Sequence, residues 1–397
     1  MYDAIVVGAR CAGSPTAMLL ARRGHRVLLV DRATFPSDTL STHFLHLSGT
    51  ALLEQWGLLD RVRQSGCPSL RELVFDVGAL RLVGSPEPAG QVEEMFCCRR
   101  TVLDQLLLDA ADAAGAEVRQ GFTVERVLQE DGRVVGIAGR DRGGRSVTER
   151  AAIVIGADGQ RSLVARAVGA AEYDVVAPLA GYYYSYWSGF DAQRVEFYPR
   201  EGRVGGVLPT NDGLTCLVVG VRHRDFPALR HDPEGFMRGF FASIPTLATR
   251  VADSRREERL RGTADLPNFF RRPWGPGWAL VGDAGCHKDP ILGQGISDAF
   301  RDAEFLADAV DAGLSGRQPL PAALSRYESR RNEVELPRYQ YNLQHAALEA
   351  PTAELAALFG ALSRNPHETQ RFFGTYAGTV PIAEFMSDDN VERILAA

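Results

Sequence analysis

Lysine is nearly absent from this chain: of its 44 basic residues, Lys288 alone is lysine and the rest are arginine. Any chemistry that needs a lysine elsewhere is excluded. A basic surplus is also missing, since 50 acidic side chains outnumber the basic ones and the formal net charge is −6. Nucleic-acid binders carry the opposite balance, so no nucleic-acid partner is expected. No apolar run reaches the roughly 18 residues of a membrane span. Residues 1–15 read as a strand and a glycine turn rather than a secretory signal. The six cysteines form no CxxC pair, and Cys97 and Cys98 are adjacent, which suits neither an ordinary disulfide nor a zinc site. No metal is expected, and the cytoplasm is the expected compartment. There are no internal repeats and no low-complexity segment.

What is present is ordinary globular material: 397 residues, 45% hydrophobic and 24% charged. That length suits two or three interleaved domains. Residues 3–9 form an apolar run ending in glycine. A helical pattern through Ala17, Leu20 and Ala21 follows, Gly24 stops it, and a second apolar run closes on Asp31. This is a βαβ unit. Helical patterns are expected at 47–64, 101–114, 232–250 and 296–309. Strand patterns are expected at 72–84, 117–156, 180–224 and 278–282. Beyond Arg317 the pattern is helical, with breaks at Pro337, Pro351, Pro366 and Pro381.

Three motifs carry chemistry. The first is Gly8-Ala-Arg-Cys-Ala12-Gly13, with Asp31 at the end of the next strand. Gly8 permits the sharp strand-to-helix turn, Gly13 lets helix and strand pack closely, and the helix-start amides can cradle a pyrophosphate. A carboxylate at Asp31 is placed to accept ribose hydroxyls. The middle glycine of the usual GxGxxG is Arg10 here. The second motif is Ile153-Val-Ile-Gly-Ala-Asp158-Gly159-Gln-Arg-Ser162, where a strand ends in Asp-Gly and Ser162 is a candidate helix cap. Alone, it reads more readily as a common turn than as a site. The third is Gly282-Asp283-Ala-Gly-Cys286-His287-Lys288-Asp289-Pro290-Ile-Leu-Gly293-Gln294-Gly295-Ile296, a glycine-rich loop between a buried strand and a helix. The first amides of that helix would face an anionic or electron-rich group.

In this order the three motifs resemble the FAD-dependent oxidoreductases of the para-hydroxybenzoate hydroxylase type, the single-component (group A) monooxygenases, to which geranylgeranyl reductases and flavin halogenases are related. The resemblance implies an α/β fold. A Rossmann-type, glutathione-reductase-like FAD domain would comprise 1–70, 96–175 and 265–315. A mostly antiparallel substrate sheet would comprise 71–95 and 176–264, and a helical extension 316–397. It implies FAD, bound non-covalently, with NAD(P)H as transient reductant; no second GxGxxG exists, so a separate flavin reductase is an alternative electron source. Gly8, Gly13 and Asp31, with the flanking Ala12 and Arg32, match the AMP half of FAD. Arg100 matches a family residue reaching the phosphate–ribityl region, or else caps its own helix. Asp158 and Gly159 match the motif between FAD and passing NAD(P)H. Gly282 and Asp283 match the ribityl site. Pro290, Gly293, Gln294, Gly295 and Ile296 match the loop and helix start under the isoalloxazine.

Departures leave the branch open. Hydroxylases often have histidine fifth in Gly-Asp-Ala-Ala-His, whereas here Cys286 is fifth and His287 sixth. Asp289-Pro290 is more like the halogenase and reductase branch, and Gly293-Gln294-Gly295 more like the hydroxylases. Halogenases of the family use an early lysine and a Trp-x-Trp-x-Ile-Pro segment, and this chain has neither. The implied function is an FAD-dependent monooxygenase that hydroxylates an aromatic or polycyclic small molecule with O2 and NAD(P)H, as in antibiotic biosynthesis. The alternative is an FAD-dependent C=C reductase. Candidate catalytic residues are Lys288, either facing flavin or substrate or a solvated loop charge, and His287 and His43, either acid–base groups or satisfied histidines. Tyr182, Tyr184 and Tyr186, alternating along one strand, are candidate substrate contacts, with the other rings of that run packing a core.

Overall fold

The computed structural model describes residues 1–396. The chain begins with β1 (Tyr2–Val7), α1 (Gly13–Arg22) and β2 (Val27–Asp31). Further on come α2 (Arg100–Ala113), β3 (Ser146–Gly156), β4 (Ala180–Ser188), α3 (Gly295–Leu314) and α4 (Leu320–Ala346). Val6, Ile5 and Ala4 are fully buried and β2 is apolar and buried up to its last residue, Asp31, as strands covered on both faces are. β1 pairs in parallel with β2 and with β3. Strand Trp278–Leu280 extends this sheet beyond β3, and Glu117–Gln120 extends it beyond β2. The antiparallel hairpin Thr123–Glu130/Arg133–Arg140 pairs with the early part of β3.

A second sheet runs Arg255–Arg256, β4, Thr215–Arg222, Arg203–Pro209, Val195–Arg200, Leu73–Asp76, Arg81–Gly84. Its pairings are antiparallel except between Val195–Arg200 and Leu73–Asp76. Three short strands, Glu172–Val176, Asn268–Arg271 and Cys286–His287, form a third sheet. Its last strand delivers the distal glycine loop to the edge of α3.

Three sequence expectations differ from the structure. Residues 232–250 hold two helices, Pro233–Ala242 and Ala248–Ala252, rather than one. Residues 47–64 are two helices, Leu47–Gln55 and Leu59–Arg63, separated at Gly57, whose φ of +73° a β-carbon would strain. Pro337 does not break the C-terminal helix, for α4 runs through it. Losing one helix bond costs about 3 kcal/mol. Burial of Arg331, Glu335, Tyr339 and Asn342 on both sides of the proline outweighs that cost. Pro351 and Pro381 do lie between helices, and Pro366 opens one at its first position, where a missing amide costs nothing.

Candidate active site

The N-terminal turn is closed by backbone. A β-carbon on Gly13 would fall 1.7 Å from the Gly8 carbonyl oxygen, and one on Gly8, at φ +102°, would fall 2.4 Å from the Ala157 carbonyl oxygen. Only glycine lets β1, α1 and the end of β3 meet here. Asp31 fixes the same turn, accepting the Ala9 amide (2.7 Å) and the Ala33 amide (2.7 Å), one on each carboxylate oxygen. Each oxygen keeps a lone pair for a ligand hydroxyl. No side chain caps the start of α1.

Arg10, at the place of the usual middle glycine, folds across the mouth of the turn. It donates to the Ser37 backbone and hydroxyl and pairs with Asp104 at 2.5 Å. Arg100 pairs with the same carboxylate at 2.9 Å, and the Cys11 thiol donates to it. Asp104 is wholly buried. Burial works against the Arg100 guanidinium, but Cys11 and Asp104 hold its pKa above the ordinary value. Arg100 is therefore a fixed cation on the cavity wall. Asp104 escaped sequence reasoning, although its place one helical turn beyond Arg100 is a readable signal.

Asp158 serves the local fold. Its carboxylate accepts the Leu163 amide (2.6 Å), the Val164 amide (3.2 Å) and the Ser162 hydroxyl, while Ser162 caps Ala165. Burial raises its pKa. Gly159 next to it has φ +78° and open space where a β-carbon would stand.

In the distal loop, Asp283 reaches the cavity exposed. Gly293 is left-handed (φ +66°), and α3 starts without a side-chain cap. His287 donates from Nδ1 to the Pro267 carbonyl and stacks on Phe269, which leaves Nε2 without a protein partner. Lys288 is not a solvated loop charge. Its ammonium lies 2.8 Å from Asp298 and donates to Glu335, both buried. Burial disfavours the ammonium, yet the two carboxylates leave its pKa above the ordinary range. Arg301 completes the group by pairing with Asp298, Asp302 and Glu335. The expectation of a lysine free to stabilise flavin or substrate charge is thus corrected: its charge is already matched. Cys286 is a thiol pushed up by burial, unfit to bond a flavin covalently.

Tyr182, Tyr184 and Tyr186 share a face of β4 but not a place in the cavity. Tyr182 donates to Asp289 (2.5 Å), and Tyr184 donates weakly to the Thr39 carbonyl (3.4 Å); both line the cavity. Tyr186 does not. It is capped by Arg99 at 4.2 Å and bonds Nε2 of His43 at 2.7 Å. His43 is fully buried, has φ +64°, and is pushed down to about 3 by burial and by the charges of Arg100, Arg99 and Arg261. Neither His43 nor Tyr186 lines the cavity: His43 is neutral and bonded to Tyr186, and Tyr186 lies under Arg99.

The cavity itself holds about 970 Å³, near the top of the range of about 300–1,000 Å³ for ligand sites. It runs from Gly8, Ala12, Asp31 and Arg32 past Arg100, Asp158 and Gly159 to Gly282, Asp283 and the Pro290–Ile296 loop. At its far end Thr42, Tyr182, Val218, Pro290 and Gly293 are shared with a small apolar pocket backed by Phe44, Phe197 and Leu208. Among the described residues no cluster could hold a metal ion, and no helix is long and apolar enough to cross a membrane.

Comparison with known proteins gives the same site a context. The family model of the FAD binding domain matches residues 1–336. The chain is 26% identical over 338 residues to tryptophan 2-halogenase of Chondromyces crocatus, covering 82% of this chain and 64% of that protein, so it spans less than two thirds of that relative. It is 25% identical to digeranylgeranylglycerophospholipid reductase 2 of Methanopyrus kandleri, covering 91% of each chain. It is 28% identical to rifampicin monooxygenase of Streptomyces venezuelae, covering 84% of this chain and 69% of that one. Among solved structures, a myxobacterial chondrochloren halogenase superposes with a TM-score of 0.80 at 22% identity, covering 99% and 95% of the two chains. At that identity the likeness shows the fold alone. The residues fit FAD: two glycines a β-carbon would block, two uncapped helix starts, a fixed arginine between them and a carboxylate at each end.

Proposed function

Since the chain belongs to the FAD-binding domain family and is an FAD-dependent oxidoreductase, we propose that it is a monooxygenase hydroxylating an apolar, aromatic or polycyclic small molecule, with NAD(P)H or a separate flavin reductase supplying electrons. The observation that carries the reading is the continuity of the cavity. Its dinucleotide end passes the Pro290–Ile296 loop and ends against Tyr182, Tyr184 and Val218 of the second sheet, behind which lies a further apolar pocket of only about 30 Å³. FAD, when bound, supplies the electron transfer and the activation of O2. The chain's own residues do the rest. Gly8, Asp31 and Arg100 hold the adenosine and phosphate half, Asp283 and the start of α3 hold the other half, and the second-sheet wall of the cavity at Tyr182, Tyr184 and Val218 orients the substrate and excludes water.

A C=C reductase is the second reading, favoured by the match to the Methanopyrus reductase along 91% of both chains. Chlorination is a poorer reading, because the single lysine is committed to Asp298 and Glu335. Turnover of a panel of aromatic metabolites under 18O2, read by mass spectrometry, decides between the two. One labelled oxygen in the product is expected; product gaining two hydrogens and no label overturns the oxygenase reading in favour of the reductase.

A further inference from the structure

Strand Arg203–Pro209 carries two adjacent glycines, and the fold accounts for only one of them. A β-carbon on Gly205 would fall 2.3 Å from the Phe240 ring, so packing against the helix Pro233–Ala242 requires glycine there. Gly206 points to the opposite face. It is not among the glycines with positive φ, and a β-carbon on it would stand 3.4 Å from Leu208 and 3.6 Å from Val218, which is ordinary contact. It sits inside the sheet, paired with Phe197 on one side and Val218 on the other. Glycine weakens a strand interior, and where the backbone does not call for it, it marks a place kept open for a ligand.

The space kept open is the apolar pocket behind the cavity wall. Val204, Gly206 and Leu208 line it from one strand, together with Phe44 and Phe197. Only Thr42 and Tyr182 bring polar side chains, and the Tyr182 hydroxyl is given to Asp289. A buried water needs about two to four polar partners, so this pocket is dry. It holds about 30 Å³, against roughly 10–15 Å³ for one water and about 150 Å³ for a cavity that takes benzene. That excludes a ring and admits about two water-sized groups. The pocket adjoins the cavity along Thr42, Tyr182, Val218, Pro290 and Gly293, so an occupant enters from the side of the substrate wall.

We propose that Gly206 determines specificity: the pocket it holds open receives a methyl- or ethyl-sized alkyl group of the substrate, whose planar body lies against Tyr182, Tyr184 and Val218. The substrate class narrows to aromatic or polycyclic compounds bearing a small alkyl substituent. This deepens the proposed function and rests on its placing of the substrate against that wall. One methyl group moved from water into such a pocket strengthens binding about fourfold. A tert-butyl group is too bulky to enter.

The test uses the FAD-loaded enzyme. Xenon occupies dry apolar cavities and needs no knowledge of the substrate. In crystals under xenon, one atom is expected among Phe44, Phe197 and Val218, and none in Gly206→Val, whose side chain fills the space. Gly206→Ala, whose methyl makes only ordinary contacts, covers the case of a valine variant that does not fold, and should lower xenon occupancy in the same direction. Aromatic binding is read by perturbation of the flavin spectrum. The wild type should hold 2-methylnaphthalene about fourfold more tightly than naphthalene and gain nothing from 2-tert-butylnaphthalene. In Gly206→Val the methyl-to-parent ratio should fall to about one, a change that a glycine kept only for the fold would not produce. No xenon, xenon that survives Gly206→Val, no binding of either aromatic, or a methyl preference missing from the wild type or unchanged in the variant overturns the proposal. Xenon without a methyl preference would overturn it in favour of a pocket for O2. An unlabelled product under 18O2 would sink the oxygenase reading and leave the methyl ratio standing, so the two failures are distinguishable.

Discussion

The turn that opens α1 and the loop that opens α3 present glycines and uncapped helix amides to one cavity, yet they are held in place differently. The first is closed from within: Gly8 touches Ala157, Gly13 touches Gly8, and Asp31 ties Ala9 to Ala33. The second is hung from elsewhere. His46 bonds the Leu292 carbonyl, Tyr182 bonds Asp289, Asn268 and Asn342 clasp the Asp289 backbone, and Gln294 reaches the Tyr376 carbonyl. A pyrophosphate cradle needs little more than backbone and can be local. A loop placed to face the flavin end of the ligand is held instead by side chains drawn from several segments.

The clearest way to break the first turn is Gly13→Ala. The new methyl meets a carbonyl oxygen at 1.7 Å, and neither partner is the end of a flexible side chain. Expected is a loss at the exceptional end for a point change, about 4–5 kcal/mol. Denaturant unfolding should show little or no folded, FAD-competent protein. A variant with wild-type midpoint and yellow colour would mean that the turn is not closed by backbone.

The corresponding blow to the second loop is Lys288→Met. Removing one partner of a buried ion group leaves Asp298 and Glu335 uncompensated, a loss of about 3–5 kcal/mol. The expected readout is stability rather than chemistry: a lowered unfolding midpoint, with flavin reduction per bound FAD within about threefold of wild type. A hundredfold slower reduction at unchanged midpoint would restore the lysine as a site residue. The sign with pH follows from Asp298, whose pKa is depressed although burial opposes it, because Lys288, Arg301 and Arg338 surround it. The stability it contributes is present above the ordinary carboxylate range and is lost as pH falls through and below that range, so the Lys288→Met deficit should shrink in acid.

Asp283→Ala separates holding a ligand from holding the fold. Asp283 makes no hydrogen bond within the protein, so the unfolding midpoint of the FAD-free protein should not move. FAD affinity should fall about five- to a hundredfold, the roughly 1–3 kcal/mol of one unmatched hydroxyl. Unchanged affinity in equilibrium dialysis would remove the residue from the flavin site.

How much of this was legible differs between the two regions for the same physical reason. The βαβ unit, Gly8, Gly13, Asp31, Arg100 and the Gly282–Ile296 loop declare themselves because local covalent spacing dictates their geometry. The Arg10–Asp104 pair, the partners of Lys288 and the Tyr182–Asp289 bond join residues 47 to 107 positions apart, apart from the Lys288–Asp298 contact, and no window of sequence contains them. A lone lysine looked like a reagent because composition records rarity but not pairing. Alternation along β4 gave the shared face of Tyr182, Tyr184 and Tyr186, but not where the cavity stops, since Tyr186 is taken up by His43 and Arg99 from other segments.

The smallest effect sharpens the comparison most. Gly295 opens α3 as Gly13 opens α1, but a β-carbon there meets nothing within 4 Å, and the residue lines the cavity. Gly295→Ala should therefore leave the FAD-free fold intact and stabilise it by about 0.5–1 kcal/mol, since alanine costs less backbone entropy in a helix. The methyl projects into the space where the flavin end of the ligand would lie, so FAD should bind more weakly even as the apoprotein melts slightly higher. Opposite shifts in the two measurements would show that the second turn keeps its glycine for the ligand, whereas the first keeps its own for the chain. Equal destabilisation of apoprotein and complex would mean that both turns are closed by backbone, and the contrast between them would fail.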